Sequence, residues 1–242
     1  MLNTKQVGKA IAINDKAKLL YVDDDFTKDK NEVEMNETMI LPPIDKGERE
    51  VVFIAGPSGV GKSTIAKKYI QAYKKLHKKN DVYVFSKVTD DKTLKDLKAI
   101  YRIPINDDLV KNPIDHTEFE NSLILFDDID TISNKNHAAA LTQLMSDVLE
   151  IGRHNNISVI ITSHLINPQD KKRGRMILNE SHRVIIFPRS TTAHAVNYFL
   201  KDYIGIGEKA LVQKIINLPT RWVCISKHFP MYCLYKDGAF CI

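Results

Sequence analysis

A mainly parallel, doubly wound α/β sheet is the fold the sequence predicts, and three observations predict it. Apolar runs recur at 51–55 (VVFIA), 82–86 (VYVFS), 122–127 (SLILFD), 157–162 (ISVIIT) and 183–187 (RVIIF). Several are rich in β-branched residues, as strands buried on both faces are. Helix-period segments fall between them: Leu141, Leu144, Met145, Val148 and Leu149 stand at i, i+3, i+4, i+7 and i+8, and Gly152 follows as a helix end. The third observation is alternation at both chain ends, which reads as antiparallel additions to about five parallel core strands.

Taken in order, residues 5–13 and 18–22 read as two short strands, followed by an acidic connector from Asp23 to Glu37. TMILPPI (38–44) and DKGERE then lead into VVFIA. Residues 1–50 are therefore expected to form a β extension with its connector, and residues 51–242 the core. After residue 190 come helical stretches at roughly 191–203 and 208–217. RWVCIS (221–226) and MYCLYK (231–236) read as strands, and Asp237-Gly238 signals a hairpin turn before AFCI.

Bulk properties bound the function classes. The 242 residues suffice for a sizeable core, and 43% hydrophobic with 27% charged residues excludes a disordered or fibrous chain. Residues 1–50 carry 8 basic and 11 acidic side chains, leaving 27 and 19 in residues 51–242. A basic body of this kind is compatible with a polyanionic partner. Cys224, Cys233 and Cys241 show no C-x-x-C spacing, which argues for a reducing compartment and against a disulfide framework or zinc site. No signal core and no run of membrane-spanning length is present, so a soluble intracellular protein is expected, with no membrane partner.

The chemistry begins at GPSGVGKST, residues 56–64, which matches G-x-x-x-x-G-K-[ST] with a strand before it and a helix after. Gly56, Pro57, Ser58, Gly59, Val60, Gly61, Lys62, Ser63 and Thr64 form this phosphate cradle, or P-loop. The glycines let the backbone turn its N–H groups onto phosphate oxygens, and the helix N-terminus adds partial positive charge. Lys62 reaches the β- and γ-phosphates of ATP, and the Ser63 hydroxyl is placed to ligate Mg²⁺.

A P-loop NTPase needs a second apolar strand ending in an aspartate that holds the magnesium. In LILFDDID (123–130) that position is Asp127. Asp128 then stands where many ATPases carry a glutamate that orients the attacking water, and it takes that role here. Asp130 reads as a loop or helix-entry residue. Thr162, Ser163 and His164 end the fourth strand, at the sheet edge shared with the P-loop. They read as a sensor of the γ-phosphate or lytic water, with Ser163 counted among the catalytic candidates; the alternative is a strand-to-loop transition that satisfies backbone donors.

Arg153 is the leading candidate for an arginine donated by a neighbouring subunit to the transferring phosphoryl group, with Arg175, Arg183 and Arg189 as competitors. The helix after the P-loop carries Lys67, Lys68, Lys74, Lys75, Lys78 and Lys79 within an arc of roughly 140°. Such a stripe is able to touch DNA phosphates, although it is more often a solvated face.

With those residues placed, the chain resembles the poxvirus-type genome-packaging ATPases of nucleocytoplasmic large DNA viruses, within the FtsK–HerA superfamily. The stretches that carry the resemblance are GPSGVGKST, FSKVTDD, NSLILFDDID, IGRHNNISVIITSHL, MILNESHRVIIFP and LPTRWVCISKHFPMYCLY. The resemblance implies a ring, hexameric or pentameric, that uses ATP and Mg²⁺ to move double-stranded DNA into a preformed capsid. It implies backbone contact with DNA without base specificity, a capsid or portal partner, and residence in the viral factory of the host cytoplasm or in the virion. It also assigns Lys62 and Ser63 to phosphate and magnesium, Asp127 to magnesium, and Asp128 to the place of the more usual glutamate. The sensor falls within Thr162–His164, without the glutamine of many relatives. Two alternatives compete: a small-molecule or nucleoside kinase with KKRGR (171–175) as its lid, and an assembly ATPase that does not translocate DNA.

Overall fold

The computed structural model describes residues 1–24, 32–87, 93–166 and 171–242, apart from the side chains of Lys171 and Lys172. Residues 25–31 of the acidic connector and residues 88–92, which include the end of the FSKVTDD stretch, lie outside the described residues. Two compact units make up the chain. One is Asp45–Ser181, and the other joins Met1–Ile44 to His182–Ile242.

The N-terminal segment supplies β1 (Leu2–Asn3), β2 (Lys9–Ile13), β3 (Leu19–Val22), β4 (Glu32–Glu34) and β5 (Met39–Ile40). An antiparallel sheet of order β1-β3-β2-β5 buries Leu2, Ile11 and Leu20. Strands β2 and β3 fall within the two runs expected at 5–13 and 18–22, whereas β1 has only two residues and no periodicity to betray it.

The unit Asp45–Ser181 holds β6 (Val51–Ala55), α1 (Lys62–Leu76), β7 (Val82–Ser86), β8 (Tyr101–Pro104), α2 (Asp107–Lys111), β9 (Leu123–Phe126), α3 (Lys135–Glu150), β10 (Ser158–Ser163) and α4 (Lys171–Glu180). Its strands run in the order β6-β10-β9-β7-β8, and every neighbouring pair is parallel. Strands β6, β9 and β10 are buried along their whole length, the condition their uninterrupted apolar runs require. Phe85 stacks on Phe126 at 5.3 Å and meets Phe119 edge-on at 5.9 Å. Each such ring contributes about 1.5–3 kcal/mol through its burial.

Helix α3 buries the stripe its sequence predicts, Leu141, Leu144, Met145, Val148 and Leu149. Helix α1 buries Ala66, Tyr69, Ile70 and Tyr73 beneath its lysines. Strand β8 carries no sequence signal of its own: it is largely exposed, short and ends in Pro104, so it lacks the apolar run that marks the others.

The C-terminal segment adds β11 (Arg183–Ile186), α5 (Ala193–Tyr198) extended by a π-type turn at Phe199–Tyr203, α6 (Lys209–Asn217), β12 (Val223–Ser226), β13 (Tyr232–Tyr235) and β14 (Gly238–Cys241). Strands β11 to β14 pair antiparallel in sequence, and β14 then pairs with β4. That last ladder explains why the terminal strands cluster with residues 1–44 and not with the segment that follows residue 51. Arg183 tightens the same union, since its buried guanidinium donates to the carbonyls of Ile11 and Leu41 at 3.3 and 3.1 Å. All three cysteines are free thiols, and burial pushes the Cys233 thiol well above its ordinary range.

Candidate active site

The parallel register brings three strand ends level. Ser163 lies opposite Ala55 on β6, and Ile161 opposite Phe126 on β9. Asp127 therefore emerges beside Thr162, and Gly56 beside Ser163, whose carbonyl accepts from the Gly56 N–H at 3.1 Å; both lie at the carboxyl edge of the sheet, where ligands of open α/β sheets bind.

At Gly56–Thr64 the chain leaves β6 and turns into α1. Gly59 and Gly61 have φ of 77° and 112°, a left-handed backbone that glycine adopts without penalty. Gly61 is the residue before α1, and no side chain caps the helix there, nor does its first turn carry an acid. Helices α2, α3 and α5 are capped instead by Asn106, Asn134 and Thr192. The uncompensated N–H groups of α1 are thus left to an anion. Pro57, Ser58 and Gly59 are exposed, so the loop opens to solvent.

Lys62 is 6% exposed, and its Nζ donates to the carbonyls of Gly56 and Pro57 at 3.0 and 3.3 Å. The same ammonium stands 3.6 Å from Asp128 Oδ1. Asp127 is 4% exposed. Its two oxygens accept from Thr162 Oγ1 at 2.8 Å and from Ser86 Oγ at 3.2 Å.

Asp128 has φ 44° and ψ 52°, left-handed for a non-glycine residue. Aspartate and asparagine tolerate that conformation better than other side chains do, which accounts for the shorter carboxylate at this position. Thr162 links the pair: its Oγ1 accepts from Asp128 N–H at 2.7 Å and lies 3.3 Å from Asp128 Oδ1.

Ser163, expected among the catalytic groups, directs its hydroxyl to the backbone of Leu165, donating to the carbonyl and accepting from the N–H at 3.1 Å each. It is fully buried; Thr162, equally buried, is the hydroxyl of this segment that touches the aspartates. Two further side chains, Ser86 and Asp130, contribute to this edge. Ser86 reaches Asp127 only because β7 lies beside β9, a strand order that no local pattern reveals. Asp130, expected as a loop residue, accepts from the His164 N–H through both oxygens, at 3.1 and 2.9 Å.

Arg153 lies in the turn between α3 and β10, at the amino edge of the parallel sheet, and is exposed. The six residues of β10, roughly 20 Å of strand, separate it from its own Thr162 edge. Beside it, Arg49 donates to the carbonyls of Val148 and Leu149 at 2.9 and 2.6 Å, closing the end of α3. Burial lowers the Arg49 pKa from its ordinary value, Glu180 opposes that fall, and Arg153 adds to it. Of the competing arginines, Arg183 is buried in the β extension, Arg189 donates to the Asn217 carbonyl at 3.4 Å, and Arg175 is exposed on α4. On the α1 stripe, Lys67 pairs with Asp96 at 3.2 Å and Lys74 donates to the Asn80 carbonyl, while Lys68, Lys75, Lys78 and Lys79 are exposed. A separate groove of about 480 Å³ beside α2 and α3, lined by Leu109, Ile114, Ala140 and Leu144 among others, contains none of these site residues.

A model of the NB-ARC domain matches residues 34–178, more than half of the chain. The chain belongs to the NB-ARC family. This NB-ARC protein is also 43% identical over 237 residues to the uncharacterized protein V3 of Sputnik virophage, covering 98% of its own chain and 95% of V3, so the two share a family. Its fold is similar to that of the genome packaging NTPase B204 of Sulfolobus turreted icosahedral virus 2. The complex of B204 with AMPPCP has a TM-score of 0.51 at 13% identity, covering 74% of this chain and 93% of B204. The pCW3 conjugation coupling protein TcpA, in its monomer form with ATPγS, has a TM-score of 0.50 at 15% identity, covering 90% of this chain and 68% of TcpA. At such identities the likeness is one of fold, and the fold is the P-loop type expected from the resemblance to packaging ATPases. By family and fold the protein is a P-loop ATPase.

Proposed function

We propose that the protein is an ATP-hydrolysing motor that moves double-stranded DNA into a capsid. The observation that carries the hydrolytic part is the joined carboxyl edge, where Lys62 on the P-loop stands 3.6 Å from Asp128 and one threonine hydroxyl contacts both aspartates. Lys62 compensates the charge of the β- and γ-phosphates, and the bare N-terminus of α1 adds to it. Asp128, 34% exposed, faces the opening and orients the attacking water. Thr162 holds both carboxylates in register.

Magnesium fits the donor set. Ser63 and Asp127 offer hard oxygen ligands, and among the described residues no group of three or more His, Cys, Asp or Glu forms an all-protein cage. Mg²⁺ takes one or two such ligands beside phosphates and water. Bound there, it would neutralise charge on the phosphate oxygens.

The amino-edge position of Arg153 suits action on a neighbouring subunit's phosphates and not its own, which a ring of six or five copies supplies. The translocation part of the reading is supported by the fold shared with B204, a genome packaging NTPase. Exposed lysines of the basic body would meet the DNA backbone without reading bases, and a capsid or portal component would anchor the ring. No helix among the described residues is long and apolar enough to cross a membrane. We place the protein in the viral factory or virion. The kinase alternative is disfavoured because KKRGR lies in the opening turns of α4 and not in a loop over the phosphates.

Phosphate release from Mg-ATP, measured with and without duplex DNA, tests the proposal. The motor reading expects severalfold stimulation by DNA. Turnover that ignores DNA favours the non-translocating assembly ATPase, and phosphate transfer to an added nucleoside would install the kinase instead.

A further inference from the structure

Asp130 and His164 form a second polar element at the site, one that the roles given to Lys62, Asp127, Asp128 and Thr162 leave unused. The left-handed turn at Asp128 starts a short 3₁₀ turn, Ile129–Thr131, closed by Thr131 N–H and Oγ1 donating to the Asp128 carbonyl at 3.0 and 2.8 Å. This turn folds Asp130 back toward β10. Both Asp130 oxygens accept from the His164 N–H, and Oδ1 lies 3.3 Å from His164 Nδ1. Backbone and ring of His164 are thereby fixed by one carboxylate.

The opposite ring nitrogen, Nε2, stands 3.8 Å from Asp128 Oδ2. Donation of Nδ1–H to Asp130 sets the tautomer that leaves Nε2 with a free lone pair. A separation of 3.8 Å exceeds a direct hydrogen bond, and it suits two acceptors that share a single water. Among the described residues, the charged groups facing this point include Asp128 and Asp130 on the turn after β9 and Lys62 on α1, which reaches Asp128. The imidazole is 28% exposed, open enough for water to enter.

We propose that His164 is the proton acceptor for the attacking water, with Asp128 as the second acceptor that aims it and Asp130 as a positioning residue. This rests on the ATPase reading of the site. The water oxygen forms a bond to the γ-phosphorus as the bond to the β–γ bridging oxygen breaks. One water proton passes to His164 Nε2, and the other stays on the new phosphate. ADP leaves with the bond electrons on its terminal oxygen. The resulting imidazolium is stabilised by Asp130 at Nδ1 and Asp128 at Nε2, the carboxylate–imidazole logic that activates a nucleophile elsewhere. It also explains how a carboxylate one methylene shorter than glutamate serves here, since Asp128 need only hold the water.

The test uses the full chain and measures kcat, KM for ATP and nucleotide binding in His164→Gln, His164→Ala, Asp130→Asn and Asp128→Asn, each checked for an unchanged Tm. We expect His164→Gln to lower kcat about 10²-fold, with KM and nucleotide binding within twofold of the unmodified protein. Asp130→Asn should lower kcat about tenfold by the same split. Added imidazole should raise the turnover of His164→Ala, a rescue that a purely structural histidine would not show. If His164→Gln and His164→Ala turn over at the unmodified rate while Asp128→Asn does not, Asp128 acts alone and the inference is overturned. If Asp128→Asn also turns over normally, the reading of the site itself falls, and this inference with it.

Discussion

The two edges of the parallel sheet in Asp45–Ser181 use similar side chains for opposite ends. At the amino edge, Arg49 closes the last turn of α3 through two carbonyls, and the buried Glu50 accepts from Tyr69 Oη at 2.7 Å. Each is a short link that joins one element to another. At the carboxyl edge, Lys62, Thr162, Asp127 and Asp128 are cross-linked to one another, and Asp128 keeps a third of its surface open. Three acids, Asp127, Asp128 and Asp130, stand within four residues there, and the backbone at Asp128 is left-handed. Left-handed non-glycine residues also stand at the amino edge, Asn121 before β9 and Asn156 before β10, so it is the linked charges beside an opening, and not backbone strain, that set the carboxyl edge apart. The lesson is that buried charge alone does not identify a site; connection among charges with an opening to solvent does.

The largest effect is expected at Arg153, which sits at the amino edge and is proposed to work at the carboxyl edge of a neighbour. Arg153→Ala should lower kcat about 10³-fold with little change in Tm, the scale of a lost arginine finger. Mixing it with Asp128→Ala subunits should restore part of the turnover, since some interfaces then pair an intact arginine with an intact carboxylate. No restoration at any ratio would return Arg153 to the surface.

A smaller effect, of a different kind, is expected from Arg49→Ala. Loss of its two bonds to the α3 terminus should cost about 1–3 kcal/mol, and Tm should fall by about 2–4 °C per kcal/mol lost, read by thermal denaturation. The kcat of the protein that remains folded should not change. A fall in kcat without a fall in Tm would mean that the amino edge takes part in catalysis within its own subunit.

Much of this was legible in the sequence, for identifiable reasons. GPSGVGKST declares itself because one short segment must supply glycines, a lysine and a hydroxyl, and the strand and helix around it are both strongly patterned. LILFDDID became readable once the P-loop demanded a partner strand ending in a carboxylate. The stripe of α3 was legible because period 3.6 is preserved across its whole buried face. The parts that escaped depend on what brings distant residues together. Ser86 meets Asp127 through strand order. Asp130 meets His164 because Asp128 adopts a left-handed backbone, and LILFDDID does not advertise that turn. Within TSH, the choice between Thr162 and Ser163 is a matter of which side of β10 each hydroxyl leaves, and period 2 could not fix this without the identity of the neighbouring strand. Strand β8 escaped for the reverse reason, since exposure removed the apolar signal.

The proposed site divides its labour at the carboxyl edge, with Lys62 and the P-loop binding nucleotide and Asp128 serving the water. Asp128→Asn tests it most directly, because asparagine keeps the left-handed backbone and nearly the same shape while removing the charge. Nucleotide affinity and phosphate release are measured on the same preparation. Affinity should stay within about twofold of the unmodified protein, and phosphate release should fall by about 10²-fold or more. Release at the unmodified rate by a fully bound Asp128→Asn protein would contradict that division of labour.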